Sequence, residues 1–452
     1  MRSRSHRTTW RWLLEKEMRE LASSRAYWLL LVVVGALVGH AFITSVNLYA
    51  EASGIGGGPS ALAQGLSPLE GIVVPTLGAY DIAATLLFPF VVIRLIALEK
   101  QTGELALTLQ GPAPFGATIA AKAIALFFAW IIAGLAGAGA MIRWHELGGH
   151  LYAPEVFTVV LGHLLRGVLT IGVSAAAASL AASAASAAII ALTVTLGTWA
   201  LDYVAAARGG VLSAIAEYTP SAALRVFEHG ELRVATVLIM LTLGIGGLAI
   251  AAVWLDEGQR TGVRVARLAG VVVTVGVMCA LFGRMRATRD VSEDRRNSFP
   301  RADELALRDI RQPLRVTVYL AAEDPRLTDL ERGVLAKLRR TMRSVSVSYA
   351  ANSRSGLFER PNDHYGEVWY DLGGKREMTR STTEPIVLET IYRLAGRPAP
   401  AAADESPYPG YPLAAHVTLA PWVFFVFWPA IVLAAWWWAR RTRVRRLQIV
   451  GE

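Results

Sequence analysis

His145 and His150, in the stretch HELGGH, are the residues of this chain that most invite a metal, with Glu146 placed where a zinc hydrolase keeps its general base. That chemistry needs histidines four apart, so that one helix face presents both to the ion. A five-residue separation instead turns the second histidine by about 140°. Gly148 and Gly149 would also break the helix between them. The motif predicts an outer loop and no metal. GIGGGPS (54–60) is as glycine-rich as a phosphate cradle, but it lacks the Lys-Ser/Thr pair that grips the phosphates, and no such motif occurs elsewhere. Any ATP chemistry must come from a separate polypeptide. Cys279 is the one cysteine, which excludes disulfides, cysteine–zinc clusters and dithiol redox chemistry. No catalytic or cofactor-binding residue is predicted.

Ionisable residues inside apolar runs carry more information, because burying them in hydrocarbon is costly. Arg94 lies near the end of its run, where a long side chain snorkels to the interface. His163 and Arg166 are three apart, on one face of a helix. Asp202 lies toward the far end of the following run, where pairing with Arg166 would lower the cost of both. These residues predict a structural ion pair or the wall of a hydrated path, the pair being favoured.

The elements that position these groups are membrane helices. The chain is 54% hydrophobic over 452 residues, with a mean hydropathy of +0.40, which places it among polytopic membrane proteins. Runs long enough to cross about 30 Å of hydrocarbon fall near 27–50, 80–98, 119–142, 156–179, 186–206, 234–255, 267–283 and 417–439. The run at 267–283 is the shortest. The net charge of +9 does not indicate nucleic acid, because the basic residues gather beside the apolar runs. Arg2, Arg4, Arg7, Arg11, Lys16, Arg19 and Arg25 precede the first; Arg440, Arg441, Arg443, Arg445 and Arg446 follow the last. By the positive-inside rule both termini are cytoplasmic, which requires an even number of spans. The stretch 51–79 has no Lys or Arg and is expected outside, in a bacterial inner membrane. The first apolar run is too long and too far from the start for a cleavable signal peptide.

Residues 8–26 hold Trp10, Leu13, Leu14, Glu17, Met18 and Leu21 at helical spacing, as an interfacial helix requires. Spans four and five are rich in Ala, Gly and Ser, which let membrane helices approach closely. Between 285 and 416 the apolar runs shorten and charge rises. RVTVYLA alternates as a strand, DLERGVLAKLRRTM (329–342) has helical periodicity, and SVSVSYA is a second strand. EVWYDLGGKREMTR reads as a hairpin turning at Gly373-Gly374, and TEPIVLETIYRLAGR as a capped helix. The order β-α-β-β-β-α predicts a small α/β domain of thioredoxin-like type, whose role without paired cysteines is binding or structure.

A polar piece between two spans, LEKQTGELALTLQGPAPF, must lie on the membrane surface, where a soluble partner can grip it. With Pro89, Arg94, Glu99, Gly103-Glu104 and Pro112, it resembles the second membrane helix and coupling helix of type-2 ABC exporter permeases, most nearly those of the gliding-motility-associated branch. WLLEKEMRELASSRAYWLLLVVVGALVGHAF and EYTPSAALRVFEHGELR are similar to the opening of that branch and to its loop before the sixth span. NSFPRADELALRDIRQPLRVTVYL resembles the start of the soluble region of its accessory subunit, the larger remainder being absent. The resemblance implies a six-helix permease over 27–255 behind an amphipathic helix at 1–26. A linker and seventh span (256–284), an extracytoplasmic domain (285–416), an eighth span (417–439) and a basic tail (440–452) complete the chain. It implies Glu99, Lys100, Gly103 and Glu104 as the contact with a separate ABC ATP-binding subunit, and a homodimer or paired permease among membrane lipids. The rival expectation is a non-transporting membrane scaffold or sensor.

Overall fold

A computed structural model describes residues 2–54, 66–104, 115–208, 212, 215, 216, 218–256, 258–321, 324–350, 364–400, 408 and 410–450. Among them, eight helices are long and apolar enough to cross a membrane: Arg25–Ala52, Leu69–Thr102, Gly116–Glu146, Ala153–Leu180, Ala184–Ala205, Val234–Leu255, Thr261–Phe282 and Ala420–Arg441. The second begins earlier than its hydropathy suggests, because Pro75 sits within its first turns, where a missing N–H costs nothing. The chain divides into two compact units, one of Met1–Gly197, Val234–Met285 and Gly410–Glu452, the other of Thr198–Arg233 and Arg286–Pro409.

The first unit is a helix bundle. Helix α1 (Arg2–Ser23) precedes α2 (Arg25–Ala52), and Ser24 caps α2 by accepting from the Tyr27 N–H. Next come α3 (Val74–Thr102, begun by a π turn over Leu69–Val73), α4 (Phe115–Glu146), α5 (Ala153–Leu180) and α6 (Ala184–Arg208, whose last turns belong to the other unit). After an excursion into the second unit the bundle resumes with α8 (Val234–Leu255) and α9 (Thr261–Phe282). It closes with α13 (Trp428–Val450, preceded by a π turn over Val423–Phe427).

Hydrophobic burial does not drive helices together in lipid, so close backbone approach must. It does so at two places. A Cβ on Gly172 of α5 would lie 2.1 Å from the Gly244 carbonyl oxygen of α8, and one on Gly247 would lie 2.4 Å from Gly172. Gly35 and Gly39, one turn apart on α2, leave the room that the Trp428 indole and the Phe424 ring of the last span occupy. The Trp428 Nε1–H then donates to the Leu31 carbonyl at 2.8 Å. The small residues of span four make such a contact with span six. At the opposite end from α1, the Tyr49 hydroxyl donates to the Tyr411 carbonyl at 2.8 Å. There His150 of HELGGH stacks on the Tyr411 ring, with centroids 3.7 Å apart.

The second unit holds α7 (Pro220–Glu228) and an antiparallel ladder of β1 (Glu231–Arg233) with β2 (Thr288–Asp290). Beyond them lie α10 (Arg301–Arg308) and a sheet of β3 (Leu314–Val318), β4 (Val345–Tyr349), β5 (Val368–Leu372) and β6 (Lys375–Thr379) in the order β4-β3-β5-β6. β3 runs parallel to β4 and antiparallel to β5, and β5 to β6. The parallel crossover carries α11 (Pro325–Leu330, continuing through a π turn to Ala336–Thr341), and α12 (Glu384–Ala395) follows β6. Leu314, Val316 and Val318 alternate inward from β3 to meet Leu330, Leu335, Leu338, Val387 and Ile391. Gly373 and Gly374, at φ 60° and 84°, make the turn between β5 and β6, which needs both central residues left-handed.

The α5–α8 crossing makes a direct prediction. Gly172→Ala overpacks backbone against backbone and should lower stability by about 1–3 kcal/mol or more. Gly276→Ala, with nothing within 4 Å of its new methyl, should leave the melting temperature in detergent unchanged.

Candidate functional site

Helix α1 buries a narrow stripe, Leu13, Glu17 and Leu21, spaced by four. The centre of an apolar stripe is thus a glutamate with no exposed surface. Its partner is Lys122, seven residues into α4 and 1% exposed, whose Nζ lies 2.8 Å from Glu17 Oε2 and 2.8 Å from Glu99 Oε1 at the end of α3. The Leu95 carbonyl accepts from the same ammonium at 3.4 Å, so all three Lys122 donors have partners. Lys16 closes the set, 2.9 Å from both Glu99 and Glu20 and 3.6 Å from Glu104.

Electrostatics follow from this arrangement. Burial pushes the Glu20 carboxyl up to about 7, and a proton shared with Glu99 reinforces the shift. Burial also raises Glu17, with the Lys122 charge pulling it part of the way back. Burial alone would lower Lys16, but its bonds to Glu99 and Glu20 outweigh that and hold it protonated. Carboxylate oxygens of Glu17, Glu20 and Glu99 lie within 4.8 Å of one another, a spacing that suits a divalent cation. Two ammonium groups already supply the positive charge there, so the donor set is that of a proton-sharing ion cluster rather than a metal cage. Glu17 Oε1 and Glu99 Oε2 have no hydrogen-bond partner, which leaves the cluster short of donors rather than of acceptors.

The neighbouring predicted residues divide among different tasks. Lys100 turns away from Glu99 and donates to the Ser179 and Ala181 carbonyls at 2.8 and 3.0 Å. A cation thereby satisfies the last carbonyls of α5. Gly103 ends α3 in the left-handed conformation, φ 77°. Glu104 is half exposed. Arg94 is exposed on α3, and residues 105–114 of the expected coupling segment lie outside the described residues, as do 55–60 of the glycine-rich loop. Glu99, 4% exposed, pairs within the bundle with Lys16 and Lys122.

A second polar centre lies on the same α3 helix, about 27 Å from Glu99 by helical rise. Arg166 Nε of α5 lies 3.3 Å from Asp81 Oδ1, which also accepts from the Thr85 hydroxyl at 3.1 Å. His163 is 5% exposed, its ring 5.6 Å from Tyr80, and neither of its ring nitrogens has a hydrogen-bond partner. The pairing of Arg166 with Asp202 expected from sequence is therefore replaced. Asp202 accepts from the Thr219 hydroxyl at 2.6 Å and pairs with Arg225 at 3.5 Å, within its own unit. Neighbours in sequence suggested the wrong partner, because α3 rather than α6 supplies the acid. Sequence reasoning missed Lys16, Glu17, Lys122 and Asp81 as a set. Asp81 and Lys122 were findable as charges inside apolar helices; that α1 and α3 both converge on Lys122 was not.

Two outcomes follow. Lys122→Met leaves Glu17 buried without its close counter-charge and Glu99 with Lys16 alone, and should cost about 3–5 kcal/mol. Adding Glu17→Gln and Glu99→Gln should recover much of that loss, measured as melting temperature in detergent. Because the Glu20 carboxyl is raised in the folded chain, its contribution to α1 docking is complete below about pH 4.5 and fades as the pH rises through about 7. Glu20→Gln should therefore flatten the fall in melting temperature between about pH 5 and about pH 8. An unchanged slope would remove Glu20 as its source.

No family model, curated protein or solved structure matches the chain.

Proposed function

We propose that this chain is the membrane subunit of an ATP-driven exporter, moved by a separate ATP-binding protein that grips the polar segment between α3 and α4. The observation that carries this reading is the buried Glu17–Lys122–Glu99 cluster. It ties an amphipathic helix to the two ends of that segment, so a push on the segment reaches α1, α3 and α4 together. Half-exposed Glu104 at the segment's start is the accessible charge for the partner, while Glu99 transmits within the bundle. These 452 residues hold no phosphate-binding motif, which agrees with an ATPase on a second polypeptide.

In this reading the basic segments at both ends face the cytoplasm, and the unit built on β3–β6 is an extracytoplasmic, thioredoxin-like binding or structural domain. Helices α6 and α13 bury little of their surface. They offer the faces against which a second copy or a paired permease would complete a pathway. Arg166, Asp81 and His163 are then the polar side chains a permeating polar group would meet inside the bundle.

The test is vanadate-sensitive ATP hydrolysis that co-purifies with the full-length chain from its native membrane. Hydrolysis should accompany the wild type and be lost from Glu104→Lys, with both proteins inserted in equal amount. Wild-type protein with no associated hydrolysis, or Glu104→Lys with undiminished hydrolysis, would favour a non-transporting scaffold instead.

A further inference from the structure

Helices α8 and α9 touch at one crossing, where a Cβ on Gly246 would lie 2.6 Å from the Val275 side chain. Beside that crossing runs an open groove of about 540 Å³, lined by Ile245, Ala249, Val253, Val271, Thr274 and Met278, with Arg267 at one end. None of the α9 residues is buried, so the groove faces whatever surrounds the bundle. From Arg267 to Met278 it is about 16 Å long by helical rise. One leaflet of a hydrocarbon core about 30 Å thick is about 15 Å deep, so the groove has the length of an acyl chain.

The mouth is also marked. The Arg264 guanidinium lies over the Trp254 ring at 5.8 Å and donates to the Trp254 carbonyl, and tryptophan belongs at headgroup depth. The Arg267 side chain is 53% exposed, and its nearest acid, Asp256, stands 3.7 Å away, too far for a hydrogen bond. Its guanidinium donors therefore have no hydrogen bond among the described residues. Over 256–267, Arg260, Arg264 and Arg267 outnumber Asp256 and Glu257.

We infer that the α8–α9 groove is a binding site for an anionic phospholipid, with one acyl chain along Val253–Ile245 and Met278–Val271 and the phosphate on Arg267. Snorkelling brings the guanidinium back to the level of the α8–α9 link, where a phosphate sits above a chain inserted below it. The site stands on these two helices alone and does not depend on the chain being a transporter.

The experiment uses the full-length protein in nanodiscs of mixed phosphatidylglycerol and phosphatidylcholine, with retained lipid counted by native mass spectrometry. Wild type should keep a bound phosphatidylglycerol in preference to phosphatidylcholine. Arg267→Gln should reduce that preference about fivefold, the worth of one basic residue near a headgroup, while retaining a lipid. Gly270→Leu projects into open space, with nothing within 4 Å, so it fills the groove without disturbing the fold and should lose both lipids. Equal retention by Gly270→Leu and wild type, or no headgroup preference in the wild type, overturns the assignment. So does disulfide formation between two copies carrying Thr274→Cys in a Cys279→Ala background, which would put a second chain in the groove.

Discussion

An ammonium removed from water between two carboxylates sets the geometry of one end of this bundle. Lys122, Glu17 and Glu99 each keep no more than 4% of their surface exposed. In a medium of low dielectric none of them is tolerable without the others. Helix α1 could not be positioned by burial alone, since its inward stripe is two leucines with a glutamate between them. Charge matching supplies what apolar contact lacks, a single register. A one-residue rotation of α1 would carry Glu17 off Lys122 and leave its buried carboxylate unpaired, with Lys122 held by Glu99 alone. The cluster costs desolvation and returns specificity, which suits a joint where α1 must stay keyed to the longer helices beside it.

The rest of the bundle is arranged so that a displacement at this joint has somewhere to go. Helix α3 carries Glu99 near one end and Asp81 near the other, and each acid is paired with a base from a different helix. Lys100 fastens the same end of α3 to the last carbonyls of α5. α5 in turn meets α8 backbone to backbone at Gly172, Gly244 and Gly247. Contacts of that kind have no soft side chain to absorb a shift, so helices joined through them move as a block. In the exporter reading, this block is what a partner protein would push.

Most of the helical layout was legible in the sequence because length and apolarity are local properties. Seven spans begin within a few residues of where hydropathy puts them; the second, which includes α3, begins earlier, with Pro75 in the first turn of α3. The Gly373-Gly374 turn was legible for a similar reason, since two adjacent glycines between alternating strands supply the left-handed angles of a tight hairpin. Pairing was not legible. Arg166 had two acids within reach of reasoning, and the sequence-adjacent Asp202 was the wrong one, because the order of helices in space is not their order in the chain. Glu99 looked like a surface residue since it follows an apolar run and precedes Lys100. Only the approach of Lys122 and Lys16 from two other helices makes it internal.

The central claim is that buried charge, and not apolar contact or the membrane surface, holds α1 against the bundle. Hydrogen–deuterium exchange over residues 13–23 of the full-length protein in nanodiscs tests it most directly, comparing wild type with Glu99→Gln. The account predicts slow wild-type exchange in α1, close to that of the spans it contacts. In Glu99→Gln it predicts a selective rise in α1 and the first turns of α4, with the α5–α8 crossing unchanged. Rapid exchange of α1 in the wild type, or identical protection in the variant, would contradict it.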